Sequence, residues 1–208
     1  FIVISSVFIA AAGYIINDYF DLNIDRVNKP DKLVVEKIIK RRWAIVWHLV
    51  LSFAGLVIST WVCIKMFDWH TLLAGTINLL CVIALWLYST NYKRQLLIGN
   101  ILISLLTAWT ILILYVINTK SLFMTKIFYD IKHNYDMAST KLFKYAVLYA
   151  GFAFIISLIR EVIKDMEDME GDAKYGCKTM PIVWGIPATK VFTAVWLIVA
   201  VAALVIIQ

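Results

Sequence analysis

Three stretches of the chain, 43–64, 69–92 and 96–119, contain no Asp, Glu, Lys or Arg. Wound as helices, each is long enough to cross a hydrocarbon core of about 30 Å. Shorter apolar runs at 1–17, 145–159 and 191–208 reach the same length with flanking residues, so six membrane helices are expected. Composition agrees: 62% of residues are hydrophobic and 16% charged, with a mean hydropathy of +0.82. An ordinary soluble domain carries about a quarter charged residues. A signal peptide is set aside for 1–17, because no basic segment precedes it and three acids follow it. The chain opens at Phe1 and closes at Gln208 inside an apolar run, so it is read as one domain, 1–208, of a longer protein.

The formal charge of +6 sits in loops between these helices, which speaks to topology and not to a nucleic-acid partner. The 26–42 loop holds Arg26, Lys29, Lys32, Lys37, Lys40, Arg41 and Arg42, so the positive-inside tendency places it in the cytoplasm. Lys93 and Arg94 then fall on the same side, as does the segment 160–185. The 120–144 connection faces outward and reads either as an interfacial amphipathic helix or as a solvated linker. Cys63 and Cys81 lie within predicted helices and Cys177 in a polar loop, a distribution that indicates neither a disulfide framework nor a metal cluster. Structural roles are expected for all three, for His48 and His70, and for Asn78 as an interhelical hydrogen-bonder.

Acids are expensive beside such segments, yet "INDYFDLNID" at 16–25 ends an apolar run with Asp18, Asp21 and Asp25. "IKDMEDMEGD" at 163–172 repeats the spacing with Asp165, Asp168 and Asp172, each 147 residues after its counterpart. Four predicted crossings separate the clusters, so both lie on one side of the membrane. Each follows a membrane helix and precedes a basic stretch with a proline, the sign of two repeated helical halves. The i, i+3, i+7 spacing puts each trio on one helix face, within about one sixth of a turn. Two such faces repel unless a cation lies between them. Mg²⁺ suits the position, because it binds a few carboxylates and completes its shell with water and substrate phosphates. The expected site is a clamp for Mg²⁺ and a diphosphate, balanced by Lys93, Arg94, Arg160, Lys164 and Lys178.

"NDYFDLNIDRVNKP", "YSTNYKRQLLIGN" and "REVIKDMEDMEGDAKYGCKTMPIVWG", in that order, resemble the UbiA superfamily of intramembrane prenyltransferases. Those enzymes carry N-D-x-x-D-x-x-x-D in the first half and D-x-x-x-D in the second. The resemblance implies an all-α bundle of nine membrane helices in two repeated halves around a central cavity, of which this chain would hold about six, lacking the first and the last two. Within the superfamily, Asp-Arg-x-x-Asn-x-Pro and Glu-Gly-Asp are most similar to the digeranylgeranylglyceryl phosphate synthase-like subgroup. One departure is "KPDKLVVEKI", where the family usually has Arg-Pro-(Leu/Ile)-Pro-Ser-Gly; the resemblance assigns that loop no role.

What the resemblance implies is Mg²⁺-dependent transfer of a polyprenyl group from its diphosphate to a lipophilic acceptor. The preferred pair is a geranylgeranyl donor and the hydroxyl of geranylgeranylglyceryl phosphate; an aromatic quinone precursor or a chlorophyllide is the alternative acceptor. Asn17, Asp21, Asp25, Asp168 and Asp172 would hold the metal, and all six aspartates would be catalytic. Tyr14, Tyr88 and Tyr149 are candidates for facing an allylic cation. The expected location is the cell membrane of a bacterium or archaeon, with the acidic motifs facing the cytoplasm. A Mg²⁺ transporter is the non-enzyme alternative, and it would place its acids at mid-membrane in broken helices.

Overall fold

The computed structural model describes residues 1–66, 69–126 and 132–207. The turn at 65–68, the side chain of His70 and the amphipathic pattern within 120–144 lie wholly or partly outside them. The described residues form α1 (Ile2–Asn28), α2 (Arg41–Met66), α3 (Trp69–Thr90), α4 (Ile98–Lys126), α5 (Lys132–Glu167), α6 (Met169–Lys174), α7 (Met180–Val183) and α8 (Gly185–Ile207). Five spans, Ile2–Asn28, Arg41–Lys65, Ile98–Val116, Thr140–Glu167 and Gly185–Ile206, are long and apolar enough to cross a membrane. Gly75–Thr90, within α3, is a shorter apolar helix. The protein is an all-α integral membrane protein.

Its helices are inside-out relative to a soluble bundle. Large apolar side chains such as Phe53, Ile64, Val191 and Ile198 are exposed, while Ser5, Ser59, Asn78, Ser104 and Thr189 are buried. Lipid is as apolar as leucine, so helix association rests on close packing and hydrogen bonds between small and polar residues. Ser5 Oγ donates to the Gly55 carbonyl at 2.7 Å, where α1 and α2 approach closely. His48 Nδ1 contacts the Ala12 carbonyl at 2.9 Å, again joining α2 to α1. Asn78 has the interhelical role expected of it. Its amide donates to Ser59 Oγ at 2.8 Å and accepts from Trp109 Nε1 at 3.0 Å, tying α3 to α2 and α4.

Around this frame α1 packs on α2 and α3, α4 on α5, and α5 on α8, with α3 bridging to α4. A cavity of about 290 Å³ remains between α1, α3, α4 and α5. The two repeats differ at one point. α1 runs unbroken through Asp18, Asp21 and Asp25, whereas α5 ends at Glu167 and Asp168 stands in the break before α6. The second trio therefore does not share one continuous helix face. Asp165 belongs to α5 and Asp172 to α6, although Asp168 N still bonds the Lys164 carbonyl at 2.9 Å across the junction.

Candidate active site

Asp21 and Asp25 on α1 and Asp165, Asp168 and Asp172 on the α5–α6 turn line one small polar pocket, of about 40 Å³. Lys93, Lys164, Tyr88, Glu161 and Cys177 complete its walls. Each acidic wall is met by a lysine distant from it in the chain. Lys93, from the short turn between α3 and α4, pairs with Asp21. Lys29, just past α1, sits 2.7 Å from Asp168 Oδ1, an ion pair short of hydrogen-bond alignment. Amides orient two of the carboxylates: Asn17 Nδ2 donates to Asp21 Oδ2 at 2.7 Å, and Asn100 Nδ2 to Asp165 Oδ2 at 2.8 Å.

The end of α1 also grips the second cluster's backbone. Asn28 Nδ2 donates to the Asp168 carbonyl at 2.9 Å, and Asn28 Oδ1 accepts from Gly171 N–H at 2.7 Å. Only glycine allows this approach, since a Cβ at position 171 would lie 2.6 Å from Asn28 Nδ2. The two acidic walls are thus fixed to each other by a side chain that spends both its polar atoms on the task.

Crowding of like charges in a partly dry pocket marks the electrostatics. Burial, then the neighbouring Asp168 and Asp21 carboxylates, pushes Asp172 up to about 6. Burial pulls the Lys93 ammonium below its usual range, against the pull of Asp21. Burial, then Asp172, raises the Cys177 thiol to about 11, which disfavours its thiolate form.

The polar pocket abuts the 290 Å³ cavity through shared residues Tyr88, Glu161 and Lys164. Most of that cavity is apolar, with Ile9, Leu85 and Leu106 along its walls. Tyr14 and Asn17 line its α1 side, and Arg160, paired with Glu161 at 2.6 Å, lines its α5 side. A third cavity, of about 180 Å³, lies between α1 and the 29–35 loop, and Asp18 lines this one and not the polar pocket.

Three residues expected at the site are not brought into it. Arg94 and Lys178 have exposed side chains outside all three cavities, and Lys178 N–H donates to the Arg94 carbonyl at 2.8 Å. Tyr149 is 62% exposed. It stands about 100° around α5 from Ala150, whose stripe with Ala146, Ser157 and Glu161 is the buried one. Glu161, Asn28, Lys29, Asn100 and Gly171 were not anticipated. Glu161 had a signal, being one turn before Asp165 on the same face.

A divalent ion fits what is here. Asn17 Oδ1 is buried with no hydrogen-bond partner among the described residues, an acceptor oxygen on the amide whose nitrogen donates to Asp21. Among the described residues no three acidic, histidine or cysteine side chains converge as a preformed metal cage.

A family model described as the UbiA prenyltransferase family matches residues 1–208. The digeranylgeranylglyceryl phosphate synthase of Haloquadratum walsbyi is 34% identical over 98% of this chain and 62% of its own. That of Thermococcus gammatolerans is 33% identical over 84% of this chain and 52% of its own. A solved structure from work on digeranylgeranylglyceryl phosphate synthase in membranes superposes with a TM-score of 0.58 at 28% identity, over 97% of this chain and 62% of that one. The chain spans about half to three-fifths of the length of these relatives.

Proposed function

Because the chain belongs to the UbiA prenyltransferase family, we propose that residues 1–208 form a prenyltransferase domain. It transfers a polyprenyl group, geranylgeranyl by preference, from its diphosphate to the hydroxyl of geranylgeranylglyceryl phosphate. The observation that carries this reading is the convergence of both acidic clusters on one polar pocket that opens beside an apolar cavity. The relatives named digeranylgeranylglyceryl phosphate synthase support the choice of acceptor.

Asn17, Asp21, Asp25, Asp168 and Asp172 would hold Mg²⁺, which when bound neutralises the charge developing on the departing diphosphate. Lys93, from the turn between α3 and α4, and Lys164, from α5, add fixed positive charge to the pocket. Asp165 is turned by Asn100 and keeps the second wall in place. The apolar cavity accepts the prenyl chain and excludes water from the reacting carbon. Tyr88, at the junction of the two spaces, and Tyr14 present aromatic faces to a cation forming there. Arg160 stands at the rim of the apolar cavity, half-neutralised by Glu161. The loop charges support an orientation with the acidic end in the cytoplasm, and the membrane is read as the cell membrane of a bacterium or archaeon.

The test is transfer of labelled geranylgeranyl groups by full-length protein in membranes, with Mg²⁺ and with geranylgeranylglyceryl phosphate, a quinone precursor or a chlorophyllide as acceptor. Asp21→Ala and Asp168→Ala each lower turnover by on the order of 10²–10³ while the protein still inserts. Wild-type rates in either variant refute the assignment.

A further inference from the structure

The loop that departs from the family pattern forms one wall of the third cavity. Asn17 and Asp18 lie along its α1 side, Leu33, Val34 and Val35 supply apolar surface, and Lys29 and Lys32 bring positive charge. Asp21, Asp25 and Lys164 are common to this cavity and the polar pocket, so the two spaces lie on either side of one wall.

The loop is built and not merely draped. Val35 is buried with Leu22 and Ala44, and it bridges to Ile39. Lys37 Nζ donates to the Pro30 carbonyl at 2.6 Å, Arg26 pairs with Glu36, and the Arg41 guanidinium stands 4.5 Å over the Tyr19 ring. Three of the basic residues here, Lys37, Arg26 and Arg41, are therefore engaged locally. Lys29 is engaged by Asp168, whereas Lys32 lines the cavity and makes no ion pair among the described residues.

The two substrates of the proposed reaction are both anionic, and their reacting atoms must meet. A phosphate on the acceptor cannot share the pocket that holds the diphosphate without strong repulsion. It needs a separate seat with an unpaired cation beside the first; the third cavity sets Asp18, Asp21 and Asp25 against Lys29, Lys32 and Lys164, and, among the described residues, Lys32 supplies an unpaired cation on its loop side. We propose that the third cavity is the acceptor subsite. Lys32, backed by Lys29, receives the acceptor's phosphomonoester, while Leu33, Val34 and Val35 cover the adjoining apolar part. This rests on the prenyltransferase reading and deepens it, making Lys32 a determinant of selectivity for a phosphorylated acceptor.

The experiment uses full-length protein in neutral phosphatidylcholine vesicles, with geranylgeranylglyceryl phosphate or its dephosphorylated alcohol as acceptor. Lys32→Gln raises KM for the phosphorylated acceptor about tenfold, the loss of one charge-assisted contact. KM for the diphosphate donor stays put, the preference over the alcohol collapses, and Lys32→Arg restores it. An unchanged acceptor KM, or an equal rise in both KM values, overturns the proposal. Loss of the wild-type preference when phosphatidylglycerol replaces part of the vesicle lipid also overturns it, because the seat would then serve bulk lipid phosphate. If wild-type protein transfers to no acceptor, the prenyltransferase reading fails instead. Equilibrium binding then decides the subsite: tighter binding of the phosphorylated lipid than of the alcohol, lost in Lys32→Gln, supports it, and equal binding overturns it.

Discussion

Replacing Gly171 by alanine adds a single methyl group, and two effects of opposite sign compete. Gly171 sits inside α6, where alanine is intrinsically better by about 1 kcal/mol. Against that, the new Cβ would lie 2.6 to 2.8 Å from the Asn28 side-chain atoms Nδ2, Oδ1 and Cγ. The amide must swing away, and it then gives up both the bond to the Asp168 carbonyl and the bond from Gly171 N–H. Two such bonds contribute roughly 1–3 kcal/mol together, and at this part-buried site the groups left without a partner add about 1 kcal/mol more. The clash outweighs the propensity, so G171A should destabilise the protein by about 1–3 kcal/mol. It should also lower turnover, because Asp168 and Asp172 flank the displaced residue. Urea unfolding in detergent micelles, with prenyl transfer measured alongside, reads both quantities. The decisive arm is the double-mutant cycle with Asn28→Ala. If the methyl acts through Asn28, G171A in that background is neutral or slightly stabilising, and the two changes are strongly non-additive. Additive losses, or a G171A protein as stable and active as wild type, refute the reasoning.

Other perturbations probe separate parts of the structure. Asn78→Leu leaves Ser59 Oγ and Trp109 Nε1 without their shared partner and should cost about 0.6–2 kcal/mol, read as a lower unfolding midpoint; an unchanged midpoint removes Asn78 from the account of helix association. Asp172, at about 6 when folded against an ordinary 3.8, is held more tightly protonated in the folded metal-free protein. That contribution to stability is full below about pH 4 and is lost as pH rises through 6. Metal needs the ionised carboxylate, so apparent Mg²⁺ affinity should fall as pH drops through about 6. Titrations between pH 5 and 8 check this, and Asp172→Asn should flatten the profile near 6; an equal pH dependence in the variant excludes Asp172 as its source.

Much of this architecture can be read in the chain because lipid makes a simple demand. Charge-free runs long enough to span hydrocarbon left α2, α3 and α4 little choice, and the even number of crossings between the aspartate trios placed both at one end of the bundle. The pattern did not reveal where helix geometry stops. Counting i, i+3, i+7 across Asp168 assumes an intact helix, and the regular helix ends there. Long basic side chains were harder still. Lys93 and Lys164 turn into the pocket while Arg94 and Lys178 turn out, a choice decided by local backbone direction, which residue type does not encode. Tyr149 fell on the lipid side by about one residue's rotation. Asn28 and Gly171 were visible only as letters within quoted motifs, because a hydrogen bond between residues 28 and 171 has no periodicity to betray it.

The clasp between Asn28 and the second acidic wall has a consequence for how the protein is made. Its partners are separated by 140 residues, and ribosomes add about 5–20 residues per second. Asn28 therefore waits roughly 7–30 s for Asp168 to be synthesised, with the first trio of acids already delivered to the membrane surface. Lys93 follows Asp21 by 72 residues, about half that interval. During biogenesis the first acidic wall thus meets a counter-charge well before it meets the wall it must face, and ligand binding can begin only after nearly the whole of this segment has left the translocon.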